Sequence, residues 1–122
     1  MIKVVFPFLF VVMLSFPAKA GEAPDSLYLV TYTVGPSWDA SKNPGEQAYF
    51  KEHSTRLGQL RKDGVIKFGA RYADKGITVI TAPSIAEARD IVSKDPGIIN
   101  KVFVADIQKL SIFYDGCLER PK

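Results

Sequence analysis

Residues 65–81, VIKFGARYADKGITVIT, form the most constraining stretch of the chain, because two β-branched and aromatic runs lie on either side of the tight turn Ala73-Asp74-Lys75-Gly76. Runs so joined are neighbouring antiparallel strands, here 65–72 and 77–81, with Gly69 as a weak point or bulge. A helix-period stretch flanks the hairpin on each side. Upstream, over 46–62, Phe50, His53, Leu57 and Leu60 recur at spacings of three, four and three and share one face. Glu46 at the start and Arg61 and Lys62 at the end suit the helix dipole, and Gly64 is a natural stop. Downstream, Ser84 and Glu87 form a capping-box pattern ahead of Ala88, Ile91 and Val92, and this helix ends around Lys94, before Pro96.

The outer segments complete the pattern. Residues 27–34, LYLVTYTV, read as a central strand, and 102–114 as mostly strand, with Ala105-Asp106 as a point of interruption. Between the first strand and the first helix runs a long polar loop that carries Trp38, the only tryptophan. The order β, α, β, β, α, β predicts an α+β, ferredoxin-like fold: a four-stranded antiparallel sheet with two helices on one face. In a domain this small the other, apolar sheet face is best buried against a second copy, so a homodimer is expected.

Part of the 122-residue chain stands outside that fold. Residues 1–20 place Lys3 before the apolar run VVFPFLFVVMLSF and close on Ala18-Lys19-Ala20, the layout of a secretory signal peptide. An uncleaved anchor is the competing reading, but Pro7, Ser15 and Pro17 interrupt a run already short for a bilayer span. The expected protein is therefore exported, periplasmic or secreted, with no stable membrane anchor after cleavage. It has a leader at 21–26, a domain at 27–115 and a tail at 116–122.

Lys3 and Lys19 are the only charged residues of that segment, so its removal lowers the net charge from +3 to +1. A chain this near neutrality, without a basic stripe, has little with which to neutralise phosphates, so nucleic acid is not an expected partner. Arg56, Arg61 and Lys62 read as a solvated helix face. Cys117 has no second cysteine to pair with inside the chain and is either a free thiol or a link between chains. One His and one Cys, far apart, have no ligand spacing, so neither a metal nor a cofactor is expected. No glycine-rich phosphate loop follows a strand.

Taken together, LYLVTYT, the aromatic loop, His53 followed by Leu57, Leu60 and Gly64, the hairpin, the helix SIAEARDIV and the pair Asp95-Pro96 resemble the YCII-related, or YciI-like, family. The resemblance spans roughly residues 27–113. It implies a ferredoxin-like fold of the dimeric α/β barrel type, a homodimer, and an active site around a histidine and an aspartate, here His53 and Asp95. Relatives of that family include an enzyme that removes chloride from a chlorinated hydroxyquinol. Where many members show Gly-Gly-Pro after the first helix, this chain has Phe68-Gly69-Ala70.

Residue chemistry allows the same pair. A carboxylate bonded to an imidazole fixes its tautomer and favours a general base suited to neutral pH. Such a base suits proton abstraction from a small aromatic or enolisable compound. The alternatives are structural: His53 as a half-buried group bonded to a backbone carbonyl, and Asp95 as a helix-ending Asp-Pro turn. Arg71 either orients an anionic substrate or is an exposed strand arginine. Trp38 is either a lid that stacks on a ligand or a plug that anchors its loop. Tyr28, Tyr32 and Phe103 read as sheet-face packing. Ser54 diverges from its neighbour His53 on a helix and makes no nucleophile–base pair with it. Two functions compete: acid–base chemistry by His53 and Asp95, or a non-catalytic ligand-binding or structural dimer.

Overall fold

A computed structural model describes residues 25–122. The expected signal segment at 1–20 and most of the leader lie outside the described residues. The elements run β1 (Ser26–Val34), a 3-10 turn (Pro44–Glu46), α1 (Phe50–Lys62), β2 (Ile66–Tyr72), β3 (Lys75–Ala82), α2 (Ile85–Ser93), α3 (Pro96–Ile99) and β4 (Phe103–Leu110). The strands form one antiparallel sheet in the order β2-β3-β1-β4. The chain is thus α+β with the strand arrangement of a ferredoxin-like fold, to which α3 is a short addition.

Strand alternation builds the core. Tyr28, Val30 and Tyr32 of β1 and Ile80 and Ala82 of β3 are buried on one face, and they pack with Leu57 and Leu60 of α1 and Ala88 and Val92 of α2. Both long helices therefore cover the same face. The opposite face, with Leu27, Leu29, Phe68, Val79, Val104 and Leu110, has no covering layer among the described residues.

Several local features differ from the sequence expectation. The first helix starts at Phe50 rather than Glu46, because Tyr49 adopts a left-handed conformation (φ 62°, ψ 5°) that breaks the helical run. The residues before it serve the loop instead. Gln47 is buried, its Oε1 accepting from Asp39 N at 2.9 Å and its Nε2 donating to the carbonyls of Asp39 (2.6 Å) and Lys42 (3.2 Å). The bulge of β2 falls between Ile66 and Phe68, while Gly69 stays paired with Thr78. No interruption occurs at Ala105-Asp106, and β4 ends at Leu110. Ser84 caps α2 as expected, its Oγ accepting from Glu87 N at 3.2 Å.

The basic residues of α1 are not simply solvated. Arg56 Nη2 donates to the Ile91 carbonyl at 2.8 Å and so ties α1 to α2, while its Nε is buried without a partner. Arg61 Nη1 reaches the carbonyls of Ile66 (3.0 Å) and Lys67 (3.1 Å). Both side chains thus donate to backbone carbonyls.

Candidate functional site

The first turn of α1 and the N-terminus of α3 meet over the end of β1. There His53 Nδ1 lies 2.6 Å from Asp95 Oδ2, with both residues buried. A carboxylate oxygen only accepts, so Nδ1 carries the proton, and in the neutral ring the lone pair is on Nε2. Asp95 holds its place through its other oxygen: Oδ1 accepts from Gly97 N at 2.8 Å and caps α3. The aspartate is therefore a helix cap and the imidazole's partner at once. Gly97 makes room for this arrangement, since a Cβ there would stand 3.0 Å from the Phe103 ring and 3.2 Å from His53 Cβ.

Aromatic rings wall the histidine. The Phe103 ring lies 4.6 Å from that of His53 at 37°, and Tyr32 presents its edge at 5.4 Å and 74°. Phe50 stands 6.4 Å from both His53 and Phe103. Trp38 reaches Phe103 at 5.6 Å. It is brought there by a loop pinned to the turn before β4: Gly35 N donates to the Val102 carbonyl (2.8 Å) and Ser37 N to that of Lys101 (2.9 Å). A Cβ on Gly35 would collide with the Lys101 carbonyl, so only glycine allows this close approach.

These walls enclose a cavity of about 450 Å³, lined by His53, Trp38, Phe50, Phe103, Tyr32 and Thr78 among others, with Arg71 and Asp74 from the hairpin end. The size suits a small ligand. His53 lines the cavity, and its Nε2 has no hydrogen-bond partner among the described residues. Arg71 pairs across the strands with Gly76, on the helix-covered face with Thr78, and makes no ion pair with a described residue.

The chain matches no family model and no curated protein.

Of the residues singled out in the sequence, His53 and Asp95 are in contact, and Trp38 and Arg71 line the cavity that His53 also lines. Ser54 lines it too. Cys117 is exposed in the tail. Among the described residues, no group of three or more His, Cys, Asp and Glu is placed to hold a metal ion. Tyr32 and Phe103, expected as sheet-face packing, are also walls of the site. Thr78, Gln47 and Gly97 carry no mark in the sequence that sets them apart from ordinary strand, helix and turn residues. Burial pushes the Tyr32 phenol up to about 12, an effect that neighbouring Thr78 partly opposes. The phenol therefore stays a hydrogen-bond donor at neutral pH.

Proposed function

We propose that the chain is an exported YciI-like protein that performs acid–base chemistry on a small aromatic or enolisable compound, with His53 as the base and Asp95 as its positioning partner. The observation that carries this reading is the 2.6 Å bond from His53 Nδ1 to Asp95 Oδ2 at the wall of a cavity of about 450 Å³. Asp95 holds the tautomer, Nε2 takes the proton, and the aromatic walls exclude water and orient a planar compound. Arg71 meets a negative substituent at the rim and Trp38 closes over the ligand. Export rests on the pattern of residues 1–20.

The test is proton–deuterium exchange, followed by NMR in heavy water, across a panel of small ketones and phenols. The wild type should exchange a C–H proton of at least one compound well above the background rate, and His53→Ala should lose that exchange while remaining folded. Full exchange by the variant would overturn the reading.

A second reading is favoured by the cap that Asp95 places on α3. In this reading the pair is a structural staple between α1 and α3, and the cavity binds a ligand without turning it over. His53→Ala would then lower the melting temperature, and no panel compound would exchange in the wild type.

For the assembly we propose a homodimer of the dimeric α/β barrel type, formed through the uncovered sheet face. Leu29, Phe68 and Val79 on that face support it, since a small domain gains by burying such a surface. Sedimentation should give twice the chain mass for the wild type and the single mass for Val79→Lys. A monomeric wild type at micromolar concentration would contradict the dimer.

A further inference from the structure

Two strand positions that carry no side chain give the cavity its space. Gly69 of β2 and Gly76 of β3 both line it. Gly69 is paired with Thr78 and Gly76 with Tyr32, and these partners are buried on the helix-covered face, so each glycine leaves a blank on that face. Neither backbone demands a glycine. Among the described residues Gly64 is the only glycine with a positive φ. A Cβ at position 69 or 76 would meet no atom closer than 3.8 Å, which is ordinary contact. Glycine inside a strand forfeits packing and weakens the strand. What this pair supplies is therefore open space, bounded on the helix side by Phe50, His53 and Leu57 of α1.

The register also fixes what stands at the two ends of that space. Arg71 of β2, Gly76 of β3 and Tyr32 of β1 are paired in one row across the sheet. Arg71 and Tyr32 thus lie two strand spacings apart, about 10 Å between backbones, with the bare glycine between them. The His53 ring stands 5.4 Å from that of Tyr32, so the imidazole borders one end and Arg71 the other. Arg71 is the one permanent cation of the lining and Asp74 its one carboxylate, and neither forms an ion pair with a described residue.

We propose that the cavity takes a small planar monocarboxylate, which lies over Gly69 and Gly76 with its carboxylate on Arg71 and its acidic C–H or O–H toward His53. This deepens the acid–base reading and rests on it for the end that reacts. A guanidinium grips a carboxylate through two parallel N–H bonds, so Arg71 fixes the far end of the compound and, through its rigid plane, the position of the near end. Asp74 limits the charge, because a second carboxylate at that end meets a like charge. The two glycines limit the shape, because a side chain at either position occupies the place of the ring.

The test compares 4-hydroxybenzoate with its neutral counterpart 4-hydroxybenzamide, with binding to the full chain read by titration calorimetry. The wild type should bind the carboxylate at least about tenfold more tightly than the amide. Arg71→Gln should remove that preference without moving the melting temperature, and Asp74→Asn should tighten binding of the carboxylate alone. Gly76→Val should abolish binding of both compounds while the melting temperature stays level or rises, the reverse of a glycine that the backbone needs. Gly69→Val carries the same test should Gly76→Val not fold. A wild type that binds neither compound or both equally, an Arg71→Gln variant that keeps the preference, or a folded valine variant with wild-type affinity would overturn the proposal. The base reading fails separately: it is overturned where C–H exchange by the wild type is no faster than by His53→Ala, whatever the carboxylate does.

Discussion

The cavity wall has two polar regions built on opposite terms. At the dyad both oxygens of Asp95 are engaged, one by His53 and the other by the amide of Gly97, so the carboxylate has a fixed position. On the neighbouring strand, Thr78 Oγ1 is buried beside the Tyr32 phenol without a hydrogen bond of ordinary geometry. The first region spends its hydrogen bonds on holding one imidazole in one tautomer. The second has no such anchoring bonds. The contrast separates a carboxylate fixed by two partners from a buried hydroxyl that lacks them, and the two should respond differently to substitution.

Asp95→Ala is the severest way to probe that contrast. It leaves the buried His53 Nδ1–H unpaired and removes the cap of α3, and urea unfolding should show a loss of about 3–5 kcal/mol. Thr78→Val, at the other region, removes a hydroxyl that has no partner and should cost nothing. Equal losses for the two would dissolve the distinction.

The next effect concerns Tyr32 at alkaline pH. Its folded pKa is raised to about 12 from the ordinary 10.0, so above pH 10 the unfolded chain releases this proton while the fold retains it. Stability from this group is present below pH 10 and is lost between pH 10 and 12, to the extent of about 2–3 kcal/mol. The difference in unfolding free energy between wild type and Tyr32→Phe should therefore shift by that amount across this window. A flat difference would show the phenol to be freely hydrated.

Gln47→Ala should have the smallest effect, about 1–2 kcal/mol, since it removes a side chain that bonds the loop backbone at Asp39 and Lys42. Its clearer signature is local. Trp38, the only tryptophan, should become more accessible to an added quencher while the dyad is untouched. Unchanged quenching would show that the contact with Phe103, rather than the glutamine, holds the loop.

The strand and helix order was legible because each element carries its own signal: β-branched and aromatic runs bounded by turn residues in 27–34 and 77–81, and three-four spacing in Phe50, His53, Leu57 and Leu60. The meeting of His53 with Asp95 was legible only in part. A histidine on an apolar stripe needs a partner, but an aspartate before proline reads first as a helix-ending turn, and only the resemblance to the YciI-like family pointed to Asp95. What stayed hidden depends on side-chain direction. Gln47 looks like helix surface until the left-handed Tyr49 ends the helix before it, and a tyrosine in that conformation has no sequence signature. Tyr32 and Thr78 obey the alternation of buried strand residues, so nothing in the pattern distinguishes a cavity wall from core. The bulge between Ile66 and Phe68 puts Phe68 on the outer face and contains no glycine that would announce it. Arg56 looks like a solvated cation, although its guanidinium bonds to the Ile91 carbonyl across two helices.

His53 is the only histidine in the chain, which makes its tautomer directly observable by nitrogen NMR on protein labelled with ¹⁵N-histidine. The account predicts a neutral ring protonated at Nδ1, with a strongly deshielded Nδ1 proton bonded to Asp95 and an unprotonated Nε2, and it predicts that Asp95→Ala erases this signature. A ring protonated at Nε2 instead, or a spectrum unchanged by Asp95→Ala, would contradict it.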